Sequence, residues 1–148
     1  MRNIILITIV LVTMSIKSHS QKPTFDHLAI FVANFEKSAA FYKDIIGLDT
    51  MPNPFRDNKH IWFSIGTGLE LHIIAGGTLK PAQPLGNHFC LSVPSVHEFI
   101  QTLARANIPY QNAIGEKDQI TIRPDGVKQI YFTDPDWNWI EINDVKKK

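Results

Sequence analysis

The stretch Gln129-Ile-Tyr-Phe-Thr-Asp-Pro-Asp-Trp-Asn-Trp-Ile-Glu-Ile-Asn143 decides how this chain is read. Asp134-Pro135-Asp136 is a turn, because proline fixes φ and aspartate bonds its own backbone. Ile130, Tyr131 and Phe132 before it and Trp139, Ile140 and Ile142 after it are strand formers, so the stretch is a β-hairpin. Its second arm carries one carboxylate, Glu141, among apolar residues. A half-buried carboxylate is costly without a partner, so a protein cation or a metal ion is expected there.

An internal repeat supplies the candidates. Sliding the chain by 69 residues sets Ile61-Trp-Phe-Ser64 on Ile130-Tyr-Phe-Thr133 and Leu71-His-Ile73 on Ile140-Glu-Ile142, so His72 falls on Glu141. Sliding it by 61 sets His27-Leu-Ala-Ile-Phe-Val32 on His88-Phe-Cys-Leu-Ser-Val93. Each half thus has one potential ligand on its first strand and one on its last, with about eight more residues in the second half's connection. A lone strand histidine is usually a hydrogen-bonded core or surface residue, and a lone glutamate usually faces solvent. Four ligand-type residues at four equivalent positions argue for a shared metal site.

The first 20 residues stand apart from this pattern. Arg2, the largely apolar run Ile4 to Met14 and the small residues Ser18 and Ser20 read as a secretory signal cut ahead of Gln21. A membrane anchor needs roughly 20 apolar residues, so the mature chain 21–148 is expected to be exported, to a bacterial periplasm or beyond, without stable membrane insertion. Removing Arg2 and Lys17 leaves 13 basic and 14 acidic residues, a net charge of −1. Nucleic acid is therefore not an expected partner. Cys90 is the single cysteine, so no internal disulfide staples the domain.

Both halves read as β-α-β-β-β units of an α+β domain. In module one, 25–75, Phe25 to Val32 is a strand and Asn34 caps a helix whose apolar stripe includes Ala39, Phe41, Tyr42, Ile45, Ile46 and Leu48, closed by Gly47. Met51 to Phe55 is a loop or irregular edge, and Ile61 to Ile65 and Leu69 to Ala75 are strands. The linker is 76–86, rich in Gly and Pro. Module two, 87–143, opens on His88 to Val93, continues through a helix capped by Ser95 with Glu98 as its box partner, and adds strands over Ile108 to Gln111, Gln119 to Arg123, Val127 to Thr133 and Trp139 to Asn143.

Phe25-Asp-His-Leu-Ala-Ile with Ser38-Ala-Ala-Phe-Tyr and Ile46-Gly-Leu, Asn87-His-Phe-Cys-Leu-Ser-Val, and Phe132-Thr-Asp-Pro-Asp followed by Trp139-Ile-Glu-Ile resemble the vicinal oxygen chelate superfamily. That superfamily groups glyoxalase I, fosfomycin and bleomycin resistance proteins, methylmalonyl-CoA epimerase and extradiol dioxygenases, and the likeness covers residues 25–143. It implies a glyoxalase-like fold in which two modules form a curved mixed sheet around a metal cup, within one chain or across a swapped homodimer. It also implies that His27, His72, His88 and Glu141 bind a divalent metal: Zn, Ni, Co, Mn or Fe(II). Glu70 shares a strand face with His72, and glyoxalase I uses a carboxylate at about this place; the offset of 69 selects His72 and leaves Glu70 as a partner behind it or a proton acceptor.

The activity so implied is that of a lyase or isomerase related to lactoylglutathione lyase, acting on a small hydroxy- or oxo-compound chelated through neighbouring oxygens, with Glu141 or Glu70 carrying the proton. Two alternatives stay open. Without His72 the set becomes the two-histidine, one-carboxylate triad of an extradiol Fe(II) dioxygenase, and without a metal the protein is a small-molecule binding or resistance module. Members of the superfamily usually carry glycine where Trp137 stands, so the alternatives there are a reshaped turn, Trp137 over the cup mouth as a substrate contact, or an ordinary exposed turn residue. Cys90 is expected in core packing; His60 and His97 are expected to be structural or solvated. Arg56, Lys59 and Arg123 are candidate partners for an acidic substrate.

Overall fold

The computed structural model describes residues 21–79, 81 and 83–146; the signal-like residues 1–20 lie outside them. Four strands of module one, β1 (His27–Val32), β2 (Thr50–Met51), β3 (His60–Gly66) and β4 (Leu69–Ala75), form a sheet in the order β1-β4-β3-β2. Module two repeats it with β5 (His88–Ser92), β6 (Thr121–Ile122), β7 (Lys128–Thr133) and β8 (Trp139–Asn143) in the order β5-β8-β7-β6. In each, the first strand runs parallel to the last and the others pair antiparallel. The two sheets are mixed, as the α+β reading expects, and do not close into one barrel within the chain.

The helices follow their caps. Asn34 accepts a hydrogen bond from Lys37 N and starts α1 (Phe35–Ala40), while Ser95 accepts one from Glu98 N and starts α2 (Val96–Arg105). The chain then departs from a simple helix: Phe41–Ile45 is a π-helical turn, with Ile46 N bonded to Phe41 O. Its wider turn lets the neighbours Phe41 and Tyr42 both point inward, where an α-helix would separate them by about 100°. Gly47, at φ 81°, ends this segment.

One hydrophobic core serves both modules. Val32, Phe41, Tyr42, Phe63, Leu71 and Ile73 from the first meet Val96, Leu103, Ile130, Phe132, Ile140 and Ile142 from the second. Phe132 contacts both Phe41 and Phe99, with ring centroids 6.4 and 5.9 Å apart. Each such fully buried side chain contributes roughly 1.5–3 kcal/mol. The helix-bearing sides of the sheets are consequently consumed by this seam, and strand alternation turns the remaining faces away from it.

A polar latch crosses the same seam. Ser38 Oγ and the Ala33 amide donate to the two oxygens of Asp136, at 2.6 Å each, and Tyr42 Oη donates to Asp134 Oδ2 at 2.7 Å. Asp134 also accepts from the amides of Asp136 and Asn138 and from Asn138 Nδ2. Burial raises the Asp134 carboxyl above its ordinary pKa despite these bonds. Burial likewise lifts the Tyr42 phenol, with Asp134 beside it adding to the rise.

Three expectations are corrected. Ile108 to Gln111 forms no ladder and contributes only bridges from Gln111 to Lys117 and Tyr131; Pro109, without an amide proton, removes a ladder donor. The strand expected over Gln119 to Arg123 shrinks to Thr121–Ile122. The turn at Trp137 is not reshaped: Trp137 takes the glycine-type conformation, φ 65°, with its side chain half exposed.

Candidate metal centre

The repeat read from sequence holds as strand register. Ala29 lies opposite His72 and Cys90 opposite Glu141; His27 lies opposite Glu70 and His88 opposite Trp139. Those last two pairs are separated by 43 and 51 residues, which reproduces the eight extra residues of the second connection. The even-spaced residues of β1 and β5 that carry the histidines, 27 and 29, and 88, 90 and 92, are exposed, so the first strand of each sheet turns its ligand face outward.

In module one, the His27 and His72 rings stack at a centroid distance of 4.4 Å and an angle of 15°. Trp62, cross-strand from His72, covers its other side at 3.9 Å and 14°. Phe55 extends the aromatic group, 6.2 Å from Trp62 and 4.9 Å from His60. Glu70 Oε2 holds His72 Nε2 at 2.8 Å, and Asp26 Oδ2 holds His27 Nδ1 at 2.7 Å. His60 is tied at Nδ1 to Asp57, 2.9 Å away, which makes it part of the turn.

Module two is organised by hydrogen bonds. His88 Nδ1 donates to the Leu85 carbonyl at 2.8 Å, and its Nε2 faces Glu141 Oε2 at 3.2 Å. Tyr131 Oη donates to that same oxygen at 2.7 Å, while Asn143 Nδ2 and Cys90 Sγ donate to Oε1 at 2.9 and 3.3 Å. Burial pushes the Glu141 carboxyl up, but the bonds from Tyr131, Asn143 and Cys90 and the adjacent His88 outweigh it and hold the pKa below the ordinary glutamate value. Burial, then Glu141, pushes the Tyr131 phenol far above its ordinary value. Cys90 is thus on the ligand face and exposed, not packed in the core.

The structure therefore brings the four candidate ligands together in two pairs, His27 with His72 and His88 with Glu141. Among the described residues no three His, Cys, Asp or Glu side chains are grouped to hold a metal ion. Arg123 pairs with Asp125 at 2.7 Å. A cleft of about 560 Å³ between α1, the turn at Trp137 and residues 106–109 contains no candidate ligand.

The donor chemistry fits a divalent ion. Asp26, Glu70 and the Leu85 carbonyl each hold one ring nitrogen of His27, His72 and His88, and a neutral imidazole held in this way presents its other nitrogen as an acceptor. That is the arrangement by which metal-ligating histidines are oriented. His88 Nε2 and the Glu141 carboxylate face each other across 3.2 Å, a contact that a shared proton or a cation would satisfy. Donors bound at about 2.1 Å stand roughly 3.0–3.4 Å apart around an ion, and the observed 3.2 Å falls in that range.

Sequence reasoning missed Tyr131, Gln129, Asn143 and Trp62 as parts of these sites. The signal was present: a hairpin centred on Asp136 places Tyr131 opposite Glu141 and Gln129 opposite Asn143 on one face.

A family model of the glyoxalase/bleomycin resistance protein/dioxygenase superfamily matches residues 24–142, and the chain belongs to that superfamily. Among its relatives is the Bacillus subtilis (strain 168) protein YwbC, 25% identical over 122 residues that cover 78% of this chain and 93% of the relative. A glyoxalase family protein from Bacillus anthracis is 27% identical, with a TM-score of 0.67 and coverage of 86% and 98% of the two chains. The fosfomycin resistance protein FosX from Listeria monocytogenes shares the fold at 20% identity and a TM-score of 0.66, covering 85% of this chain and 96% of its own.

Proposed function

We propose that this protein is a metal-dependent lyase or isomerase of the glyoxalase type, acting on a small hydroxy- or oxo-compound held through neighbouring oxygens, and that it works as a homodimer. The observation that carries the metal reading is the orientation of His27, His72 and His88, each with one ring nitrogen tied to an oxygen of Asp26, Glu70 or Leu85. A divalent ion held by these three and Glu141 would supply a Lewis acid toward adjacent substrate oxygens. Glu141, gripped at both oxygens, serves as ligand. Glu70 uses Oε2 for His72 and has no hydrogen bond at its other oxygen among the described residues, which leaves it to take and return the substrate proton.

What supports the dimer is where the two pairs lie. Their faces turn outward from a common core, so the four ligands would share one ion where module one of one copy meets module two of another. No helix among the described residues is long and apolar enough to cross a membrane; the signal-like start supports export of the mature chain, to a bacterial periplasm or outside the cell.

Elemental analysis tests this reading with two variants. His27→Ala/His72→Ala and His88→Ala/Glu141→Gln are each expected to lose bound metal. Mixed after partial unfolding and refolding together, they regain it, because the hybrid dimer contains one intact pair from each copy. Wild-type protein free of zinc, nickel, cobalt, manganese and iron overturns the proposal, and hybrids that stay empty overturn the dimeric site. Iron with oxygen uptake on catechols would replace the lyase by a ring-cleaving dioxygenase.

A further inference from the structure

Gln129, Tyr131, Glu141 and Asn143 form a continuous polar chain on the ligand face of module two, each with less than a tenth of its surface exposed. Gln129 Nε2 donates to Tyr131 Oη at 2.7 Å. That bond occupies the phenol oxygen from one side and directs its single proton to Glu141 Oε2, 2.7 Å away. On the other oxygen, the Asn143 amide is itself oriented, because Ser92 Oγ donates to Asn143 Oδ1 at 3.1 Å. The Tyr131 ring also meets His88 edge-on, with centroids 5.3 Å apart and an angle of 83°.

We propose that Tyr131, oriented by Gln129, is a positioning residue that sets both module-two ligands, Glu141 through its hydroxyl and His88 through its ring. This rests on the metal reading above. One side chain removes the rotational freedom of two ligands before an ion arrives, and such support commonly changes metal affinity ten- to a hundredfold. The equivalent position in module one is Trp62, which stacks on His72 and makes no hydrogen bond to a ligand. The relay therefore belongs to one half of the duplicated fold alone.

The test titrates metal-free full-length protein with Co²⁺ and records both affinity and the visible ligand-field bands. Tyr131→Phe keeps the ring against His88 and removes the hydroxyl; it is expected to weaken Co²⁺ binding about ten- to a hundredfold and to shift the bands. Gln129→Leu, which leaves the hydroxyl but frees its direction, should give a smaller loss of the same sign. Ile130→Val, on the core side of β7, loses stability without touching the relay and should bind Co²⁺ as the wild type does. Unchanged affinity and spectrum in Tyr131→Phe overturn the relay alone, as does an equal loss in Ile130→Val. A wild-type protein that binds no Co²⁺ overturns the relay together with the metal reading.

Discussion

Module one and module two share a backbone plan but hold their candidate ligands by different forces. Gly68 and Trp137, 69 residues apart, sit at the same hairpin position with nearly the same φ, 68° and 65°. Trp62 and Tyr131 occupy the same place on the third strand, His72 and Glu141 the same place on the last. In module one an imidazole lies between two rings; in module two a carboxylate is surrounded by donors. An aromatic pair contributes about 0.5–1.5 kcal/mol beyond area burial, whereas a hydrogen bond to a charged group contributes about 1.5–3 kcal/mol. The comparison shows that the ligand's chemistry dictates its neighbours: an anion in a half-buried sheet needs donors, and an imidazole tolerates a stack.

The largest test of that contrast is at Trp62. Trp62→Ala should cost roughly 2–3 kcal/mol, since it removes a large ring from a half-buried stack, as read from urea denaturation. Trp62→Phe should cost less than about 1 kcal/mol, because the buried indole N–H has no partner among the described residues to lose. An equal cost for the two would mean that the indole nitrogen, not the stack, holds this face together.

A smaller effect, opposite in sign, belongs to the turns. Trp137 adopts a left-handed backbone that glycine accepts freely, held there by Trp137 N bonded to Asp134 O and by the Asp134 carboxylate on the following amide. Trp137→Gly should therefore stabilise the protein by about 1 kcal/mol, measured as a shift in the denaturation midpoint. The reciprocal Gly68→Trp should destabilise it by a similar amount. If Trp137→Gly destabilises instead, the indole contributes packing that outweighs its backbone strain.

The smallest expected effect is in pH dependence. The folded state lowers the Glu141 pKa, so its contribution is present above the unfolded value near 4.3 and is lost as pH falls below that toward the folded value. Asp134 works in the other direction, because a raised carboxyl favours the folded state as pH falls. Only the difference between wild type and Glu141→Gln isolates the effect: wild-type stability should fall more steeply below about pH 4 than that of the variant. Parallel curves would show that the donors around Glu141 do not favour its charged form.

Much of the architecture was legible because repeats and caps are local. Leu69–Ala75 and Trp139–Asn143 follow from strand formers between turn residues, and Asn34 and Ser95 from their capping side chains. The weak strands were misjudged where β-forming side chains surround a proline, as at Pro109. The left-handed Trp137 was not legible from propensity, since it is imposed by Asp134 and Asp136, whose partners Tyr42 and Ser38 lie 92 and 98 residues away. The pairing of the ligands was half legible: parity placed His72 beside Glu70 and the repeat put His88 and Glu141 on the first and last strands of module two, but the rings and donors that hold each pair come from across the hairpin.

By itself, the sequence determined two like modules, the succession of strands and helix along each half and the ligand-type residues at matching positions, because period-two alternation and turn chemistry are written residue by residue. Tertiary structure alone decided that the helix sides share one core and that both ligand faces look outward. That choice depends on how Phe41, Tyr42 and Phe132 pack across the seam and on the carboxylates that latch it, contacts between segments far apart in the chain that no local pattern encodes.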